Sequence, residues 1–476
     1  MTGSMLWYDY ETFGTDARRD RAVQFAAVRT DLDFNPIEAP IDILCQPALD
    51  TIPDPMACSI TGISPIKAQQ QGLPEFQFAQ RIHHAMMQPG TCTLGYNSIR
   101  FDDEVGRFLF YRNLLDPYER EWRHNNSRWD LLDVVRLTYG FRPEGLQWPT
   151  DVQGKTSFRL ELLTAANGIV HQNAHDAVSD VLATIEMGKL IQQRQPELYH
   201  YAFNLRRKSE VQKHIQLLDR KPFVNVSGMF PVEQGCMGVL APIALHPTNR
   251  NEVICFNLAQ DPDILQNLTS EEIQQRLYTP RDQLPPGVER IGLKSVHINK
   301  CPMIVPAKML TPALAEKFGH DLPSLRRHGD KLKAFVGIES KILSVFEGRP
   351  EQELDPDIAL YQGFIADGDK AKLQQLQYQR PDETLNIAFD DPRLPELVFR
   401  FRARNFPEQL NDQDQIRWLQ HCHQIMTRSD FGCPRTLAQA EQQLAELSHQ
   451  QPQKQALWAD LLTHYQNLRD RLGVSA

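Results

Sequence analysis

Apolar residues near the start of the chain fall into short runs with strand character, followed by longer helical stretches. Runs rich in aliphatic and aromatic residues predict strands at 6–9, 23–31 and 41–46. Helices are predicted at about 73–87, 102–115, 130–139, 159–167 and 174–193. Strands come first along the chain and helices lie between the later elements. This order indicates a mixed α/β domain that ends near Gln195-Pro196.

The pattern changes at about residue 222, where short β-rich runs are punctuated by glycine and proline. These runs lie at 223–227, 237–242, 252–257 and 295–299 and predict a small β-barrel or sandwich. Within it, Ser270 is the expected N-cap of an inserted helix. Thr311-Pro312 begins another helix, which we expect to end at Gly319. After Pro350 the chain is helical and rich in glutamine, with apolar stripes over 437–447 and 456–472.

Length, charge and cysteine content limit the class of protein. A chain of 476 residues is too long for one core, so two or three domains are expected. A net charge of −9 argues against indiscriminate coating of nucleic acid, but it allows an enzyme with a local basic groove. The sequence shows neither a membrane-spanning run nor a signal peptide. Its eight cysteines, without a C-x-x-C pair, are expected to be free thiols in the cytoplasm.

Four short acidic motifs lie within the first 180 residues. They are Asp9-x-Glu11, Asn97-x-x-x-Phe101-Asp102, Ser157–Glu161 and His175-x-x-x-x-Asp180. Together they supply the carboxylates and the histidine needed to hold two divalent cations and activate a water against a phosphodiester. On a strand, Asp9 and Glu11 share one face about 7 Å apart and repel each other unless a cation neutralises them. A solvated strand end is the alternative interpretation.

The second and fourth motifs leave the choice of ligand open. Asp102, Asp103 and Glu104 begin a predicted helix, where any acid is favoured by the helix dipole, and only one can point at Asp9. His175 and Asp180 are about 140° apart on a helix, so they converge only if His175 lies at its N-terminal edge. Asn173 is a possible N-cap there, and Asp176 competes with Asp180 as ligand.

The first, second and fourth of these motifs resemble the three motifs of the histidine-containing DEDD 3′→5′ exonucleases, which have a ribonuclease H-like fold. Longer strings resemble the bacterial exonuclease I family, which degrades single-stranded DNA. The strings are Asp9–Thr15, Gly95–Val105, Asn126–Asp133, Asn173–Ala177, His297–Pro302 and Phe401–Pro407. The resemblance implies an α/β fold with an exonuclease domain at 1–195, a Src-homology-3-like β-barrel domain at 196–349 and an α-helical domain at 350–476. Together they are expected to form a C-shaped clamp.

The resemblance also assigns roles in the site. Asp9, Glu11, Asp102 and Asp180 are expected to hold two Mg²⁺ ions about 4 Å apart, with Mn²⁺ as a substitute. The resemblance implies that Asp102 rather than Asp103, and Asp180 rather than Asp176, is a metal ligand. Glu11 and Asp180 are expected to be catalytic with His175, which takes a proton from the attacking water.

A single DNA strand is held by cations along its phosphates and aromatic rings under its bases. The predicted substrate contacts are Glu11, Phe13, Arg107, Tyr118, Trp122, Arg136, Arg142, Arg159, Tyr201, Lys208 and Lys300. Phe13 has two interpretations, a wedge between terminal bases or a core residue. The basic stretch Arg206–Lys221 is a candidate channel wall.

The expected function is Mg²⁺-dependent 3′→5′ degradation of single-stranded DNA to 5′-mononucleotides in repair and recombination, by a monomer that binds no membrane. The family implies one partner, the acidic C-terminal tail of single-stranded-DNA-binding protein, in a basic pocket near Arg142. One alternative is an RNA-trimming exonuclease of the same superfamily, although its short members lack the two extra domains. Another is a non-enzymatic single-strand-binding repair scaffold, against which the complete carboxylate set argues.

Overall fold

The structure is a computed structural model that describes residues 3–171, 177–347, 354–378, 387–428 and 432–474. Its contacts divide the chain into two compact units. Unit 1 comprises Met1–Ser127, His171–Ile185 and Glu351–Ala476, and unit 2 comprises Arg128–Val170 and Glu186–Pro350. This division differs from the sequential domains that the sequence predicts, because the C-terminal helices group with the first strands.

The predicted elements are found among the described residues, together with strands at 91–95 and 127–130 and helices at 55–61 and 65–71 that the sequence did not predict. The strands are β1 Ser4–Thr12, β2 Ala22–Thr30, β3 Ile41–Leu44, β4 Thr91–Gly95, β5 Ser127–Asp130, β6 Phe223–Val226, β7 Met237–Leu245, β8 Glu252–Asn257, β9 Leu293–His297 and β10 Met303–Pro306. The helices are α1 Pro55–Thr61, α2 Pro65–Gln71, α3 Glu75–Met86, α4 Asp102–Arg112, α5 Leu131–Phe141, α6 Leu160–Ala166, α7 Ala177–Arg194, α8 Pro196–Asn204, α9 Lys208–His214, α10 Asp263–Asn267, α11 Ser270–Tyr278, α12 Pro312–Lys317, α13 Leu322–Ala334, α14 Ile338–Val345, α15 Asp367–Tyr378, α16 Leu394–Asn405, α17 Asp412–Thr427, α18 Leu437–Gln450 and α19 Gln455–Leu472. Within the described residues, no helix is long and apolar enough to span a bilayer.

The sheet of unit 1 places β1 at its centre. β2 pairs antiparallel with β1 and β3, and β4 pairs parallel with β1, which gives the order β3-β2-β1-β4. The register with β4 covers residues Ser4–Trp7 of β1, so β1 extends beyond it. Leu6, Tyr8 and Tyr10 are buried in one apolar cluster with residues of α3 and α4. Because side chains alternate along a strand, Asp9 and Glu11 point to the opposite face.

Unit 2 contains a second sheet in the order β10-β6-β7-β8-β9, with every pair antiparallel. The predicted β-rich segment is therefore confirmed, with β10 as a strand that the sequence did not predict. The predicted cap at Ser270 is wrong by one residue. Thr269 is the N-cap, because its hydroxyl accepts from the Glu272 amide (3.2 Å) while the Glu272 carboxylate accepts from the Thr269 amide (2.7 Å).

The C-terminal helices share a core with the first strands of unit 1. Phe13 and Val23 lie in one buried cluster with Trp418 and Tyr465 of α17 and α19. The Tyr465 hydroxyl donates to the carbonyl of Pro53 (2.5 Å). A fragment that ends near residue 195 would therefore expose this apolar surface, and its stability would fall accordingly.

A buried ion-pair network also links these segments. The Asp50 carboxylate accepts from Arg21 (3.0 Å) and Arg404 (2.8 Å), and Arg404 also pairs with Asp357. Burial alone would raise the pKa of Asp50, but the charges of Arg404 and Arg21 outweigh burial and lower it to about 2. Asp50, Asp357 and His421 are close enough together to hold a metal ion. The arginine charges already compensate the carboxylates, so we assign no metal to this cluster.

This network predicts a loss of stability in acid. A carboxylate with a lowered folded-state pKa stabilises the protein above its unfolded-state pKa of about 3.9, and this stabilisation disappears as the pH falls through the folded value. For Asp50 the full contribution, roughly 2–3 kcal/mol, is lost between pH about 5 and about 1. Denaturant midpoints measured across this range should fall less steeply for Asp50→Asn than for the parent. Asp42→Asn, at an exposed position, should behave like the parent. Equal slopes for Asp50→Asn and the parent would contradict this assignment.

Candidate active site

Three carboxylates converge beside the centre of the unit 1 sheet. β1 presents Asp9 and Glu11, and the first turn of α7 presents Asp180. One ligand oxygen from each of the three lies within 4.8 Å of the others, and all three residues are half-buried. Such an all-oxygen group matches the preference of hard divalent cations.

Asp102 reaches the same strand from the loop that follows β4. The chain leaves β4 at Gly95, where a Cβ atom would lie 2.6 Å from the Tyr8 carbonyl oxygen, so the loop and β1 approach closely. Asn97 adopts a φ of 65°, a left-handed conformation that asparagine tolerates. α4 then begins at Asp102, whose carboxylate accepts a hydrogen bond from the Tyr10 amide (3.1 Å). This amide lies between Asp9 and Glu11 in β1.

The two neighbouring acids at the start of α4 have other partners. Asp103 accepts from the guanidinium of Arg120 and from the Tyr8 hydroxyl, both at 2.6 Å. Glu104 accepts from Arg107 (3.0 Å) and from the Tyr361 hydroxyl. The structure therefore directs Asp102 to β1, a choice that local chemistry left open in the sequence.

Burial and the neighbouring carboxylates shift the pKa values of the acids in this cluster upward. Burial raises the pKa of Asp9 well above its usual range, and the charges of Asp102, Glu11 and Asp180 raise it further. Burial likewise raises the pKa of Asp102 to about 7, although the Tyr10 amide opposes this shift. Bringing four acids together in this way is costly unless cations share the site.

The predicted base, His175, and its predicted cap, Asn173, lie outside the described residues. The competing acid Asp176 lies outside them as well. The structure instead shows a histidine that the sequence did not single out, His171. Its Nε2 atom lies 2.5 Å from a carboxylate oxygen of Asp180. Since His171 precedes α7, helical spacing from Asp180 gave no signal for it.

The predicted substrate contacts in unit 1 have different environments. Phe13 is 1% exposed within the shared core, which favours the packing interpretation. Arg107 is also buried, with its guanidinium on Glu121 (2.9 and 3.0 Å), so this charge is compensated inside the protein. Tyr118 is half-buried beneath the Arg107 guanidinium. Trp122 is 65% exposed and presents an open ring.

The predicted contacts in unit 2 are mostly accessible. Arg142, Arg159 and Lys208 are exposed, whereas Arg136, Tyr201 and Lys300 are half-buried. Arg159 forms an ion pair with Glu161, and Arg136 bonds to Asp133 at 2.6 Å. The Tyr201 hydroxyl donates to the carbonyl of Ile304 at 2.7 Å. Lys208 and Arg142 donate to neutral oxygens, the Asn251 amide (2.6 Å) and the Phe141 carbonyl (2.9 Å), so these contacts leave their charge in place.

Comparisons with known proteins assign the family. Family models match in succession along the chain: an exonuclease over residues 6–187, the exonuclease I SH3-like domain over 206–348 and the exonuclease I C-terminal domain over 354–468. Exodeoxyribonuclease I of Escherichia coli (strain K12) is 44% identical over 464 residues, covering 96% of this chain and 97% of that protein. The chain belongs to the exonuclease I family. It is a 3′→5′ exonuclease, and the predicted order of exonuclease, SH3-like and C-terminal domains is confirmed.

Solved exonuclease I structures agree with this assignment. E. coli exonuclease I in complex with a dA16 oligonucleotide is 43% identical, with a TM-score of 0.92, over 98% of this chain and all of that chain (100%). A structure described as an ExoI/SSB-Ct complex is 42% identical, with a TM-score of 0.91 and the same coverage of both chains. The mixed α/β fold predicted from the sequence is therefore that of exonuclease I.

Proposed function

We propose that this exonuclease removes 5′-mononucleotides from the 3′ end of single-stranded DNA in a Mg²⁺-dependent reaction. The observation that carries the proposal is the convergence of Asp9, Glu11 and Asp180, with Asp102 bonded to the same strand. The similar E. coli enzyme in complex with dA16 supports a single DNA strand as substrate. Roles in DNA repair and recombination are part of the proposal.

The donor set fits divalent cations of the Mg²⁺ class. Asp9, Glu11, Asp102 and Asp180 offer only carboxylate oxygens, and burial together with the charges of the other three acids raises the pKa of Asp9. Mg²⁺ and Mn²⁺ prefer such ligands. These four residues would hold two ions. When bound, such ions supply an activated water and stabilise the charge on the leaving oxygen.

The remaining chemistry belongs to side chains around the cluster. His175 is proposed as the base that takes the proton of the attacking water, since an imidazole with a pKa near 6.5 accepts a proton at neutral pH. Glu11 and Asp180 are half-buried members of the cluster and are proposed to orient the water and the scissile phosphate. Arg159, which is exposed, would bind the phosphate of the terminal nucleotide.

Binding of the strand is assigned to accessible cations and rings. Lys208 and Arg142 keep their charge for phosphates, and Trp122 offers a ring on which a base can stack. Arg107 and Phe13 are not assigned to this role, because Arg107 is compensated inside the protein and Phe13 is in the core.

Two lysines of α9 provide a matched test of phosphate binding. Lys208 donates to a neutral amide, whereas Lys213, which is also exposed, is bonded to both carboxylate oxygens of Glu210 (2.7 and 2.8 Å). Lys208→Gln should weaken DNA binding and reduce the slope of log affinity against log salt by about 0.7. Lys213→Gln should leave the slope nearly unchanged. The measurement is fluorescence anisotropy of a labelled single strand at several salt concentrations. Equal slopes for Lys208→Gln and the parent would remove Lys208 from the binding path.

A partner and a cellular setting complete the proposal. The acidic tail of single-stranded-DNA-binding protein is proposed to bind near the exposed Arg142, supported by the similar ExoI/SSB-Ct complex. A monomer in the cytoplasm is proposed as the working form. All eight cysteines are buried and free of disulfides, which suits a reducing compartment.

The choice of nucleic acid is tested with oligomers of one sequence. Single-stranded DNA, single-stranded RNA and duplex DNA, each labelled at the 5′ end, are incubated with the protein and Mg²⁺. Rapid shortening of the single-stranded DNA alone is the expected result. Preferred trimming of RNA would instead support the RNA exonuclease alternative. Binding without release of nucleotides would support the non-enzymatic scaffold.

A further inference from the structure

Arg120 is fully buried beside the metal-binding cluster and has no role in the reaction described so far. Its side chain is 0% exposed. One arm of its guanidinium donates to the Thr93 hydroxyl of β4 (3.1 Å), and the other donates to Asp103 of α4 (2.6 Å). A buried guanidinium is costly unless it is paired, so the contact with Asp103 is a strong structural restraint.

The contact with Asp103 extends to β1. The Tyr8 hydroxyl donates to the same oxygen of Asp103 that Arg120 binds, at 2.6 Å. Tyr8 immediately precedes Asp9 in β1, and Asp103 immediately follows Asp102 in α4. Arg120 is therefore bonded directly to β4 and α4, and through Asp103 to β1. Two of these elements carry three of the four proposed metal ligands.

The position of Asp102 depends on this arrangement. The hydrogen bond from the Tyr10 amide (3.1 Å) holds the Asp102 carboxylate at β1. A small rotation of the first turn of α4 would break that bond and move the carboxylate away from Asp9. The Arg120–Asp103–Tyr8 contacts oppose such a rotation, because Asp103 is adjacent to Asp102 on the same turn.

We propose that Arg120 is a positioning residue for metal binding, which holds Asp103 and thereby keeps Asp102 directed at β1. This inference rests on the proposed metal-dependent function. Arg120 acts through its bonds to Thr93 and Asp103, neither of which is a proposed metal ligand. Its loss is expected to weaken metal binding more than it lowers the rate at saturating metal.

The test compares two buried arginines that contact the same helix. Arg120→Met removes the contact at the start of α4, and Arg112→Met removes a buried guanidinium from the end of α4, where it faces Glu75 at 3.5 Å. Each folded variant is assayed for the Mg²⁺ concentration that half-saturates digestion of single-stranded DNA. Mn²⁺ binding is also measured by calorimetry without DNA. Both assays are run well below the unfolding temperature of each variant.

Arg120→Met should raise both the half-saturating Mg²⁺ concentration and the Kd of Mn²⁺ at least tenfold. Arg120→Lys, which keeps the charge and one bond to Asp103, should restore both values to within about threefold of the parent. Arg112→Met should change them less than twofold, although its unfolding temperature also falls. Unchanged metal binding in Arg120→Met, or an equal shift in Arg112→Met, would overturn the proposal.

Two further outcomes keep the result unambiguous. If Arg120→Met does not fold, Asp103→Asn tests the same contact from its other side and should raise the half-saturating Mg²⁺ concentration at least threefold. An unchanged value would overturn the proposal. A parent protein that digests DNA equally well without metal would refute the proposed function itself. A metal-dependent parent with an unshifted Arg120→Met would refute only the role of Arg120.

Discussion

Asp180→Asn is expected to lower the rate of nucleotide release at least about 100-fold while the protein still folds and binds DNA. The substitution keeps the size of the side chain and removes one of the three charges whose oxygens lie within 4.8 Å of one another. Asp9→Ala should have the same effect. The measurement is the initial rate of digestion of a 5′-labelled single strand at saturating Mg²⁺.

Stability provides an independent check on the same variants. Burial and then the charges of Asp102, Glu11 and Asp180 raise the pKa of Asp9, so we expect the acids to repel one another in the absence of metal. Removing one charge relieves this repulsion, so the metal-free Asp180→Asn protein should unfold at the same temperature as the parent or higher. Asp42→Asn, on an exposed part of the same sheet, serves as the control with parental activity. Residual activity of Asp180→Asn above about a hundredth of the parent's would contradict a shared two-metal site.

His175→Ala is the second substitution with a large expected effect, a loss of roughly 10²–10⁴-fold in rate. A base with the pKa of an imidazole gives a pH–rate profile that falls on the acidic side as the ring becomes protonated. The variant should lose both the rate and this acidic limb. Rates measured at constant Mg²⁺ and ionic strength across pH 5 to 9 provide the test.

His171→Ala is the matched comparison, because His171 contacts Asp180 directly (2.5 Å). If His175 is the base, His171→Ala should retain the acidic limb even where its rate is reduced. An acidic limb that survives in His175→Ala and disappears in His171→Ala would transfer the role to His171. A limb that survives in both variants would point to Asp176.

The elements around the site could be predicted because their signals are local. The apolar alternation of β1 places Asp9 and Glu11 on one face, and the structure shows Tyr10 between them turned into the core. The cap of α11 was misplaced by one residue, because the deciding contact is the pairing of Thr269 with Glu272. The grouping of the C-terminal helices with the first strands depends on packing between distant segments, which no local pattern encodes.

Within the site, the unpredictable features depend on partners that are distant in the sequence. The Asp103 carboxylate is bonded to Arg120, and only the folded chain shows that Asp102 is therefore the acid directed at the β1 backbone. In the same way, the pairing of Arg107 with Glu121 shows that the charge of Arg107 is not available to DNA. Phe13 is buried against residues roughly 400 positions later in the chain. The resemblance to exonuclease I selected Asp102 where local chemistry could not.

The most direct test of the central claim is digestion of end-blocked single strands with and without Mg²⁺. One oligonucleotide carries a blocked 3′ end and the other a blocked 5′ end, and the released products are identified by mass. The proposed function predicts 5′-mononucleotides from the 5′-blocked strand in the presence of Mg²⁺, with no digestion of the 3′-blocked strand and none of either strand in chelator. Digestion that starts from the 5′ end, or that proceeds equally in chelator, would contradict a metal-dependent 3′→5′ exonuclease.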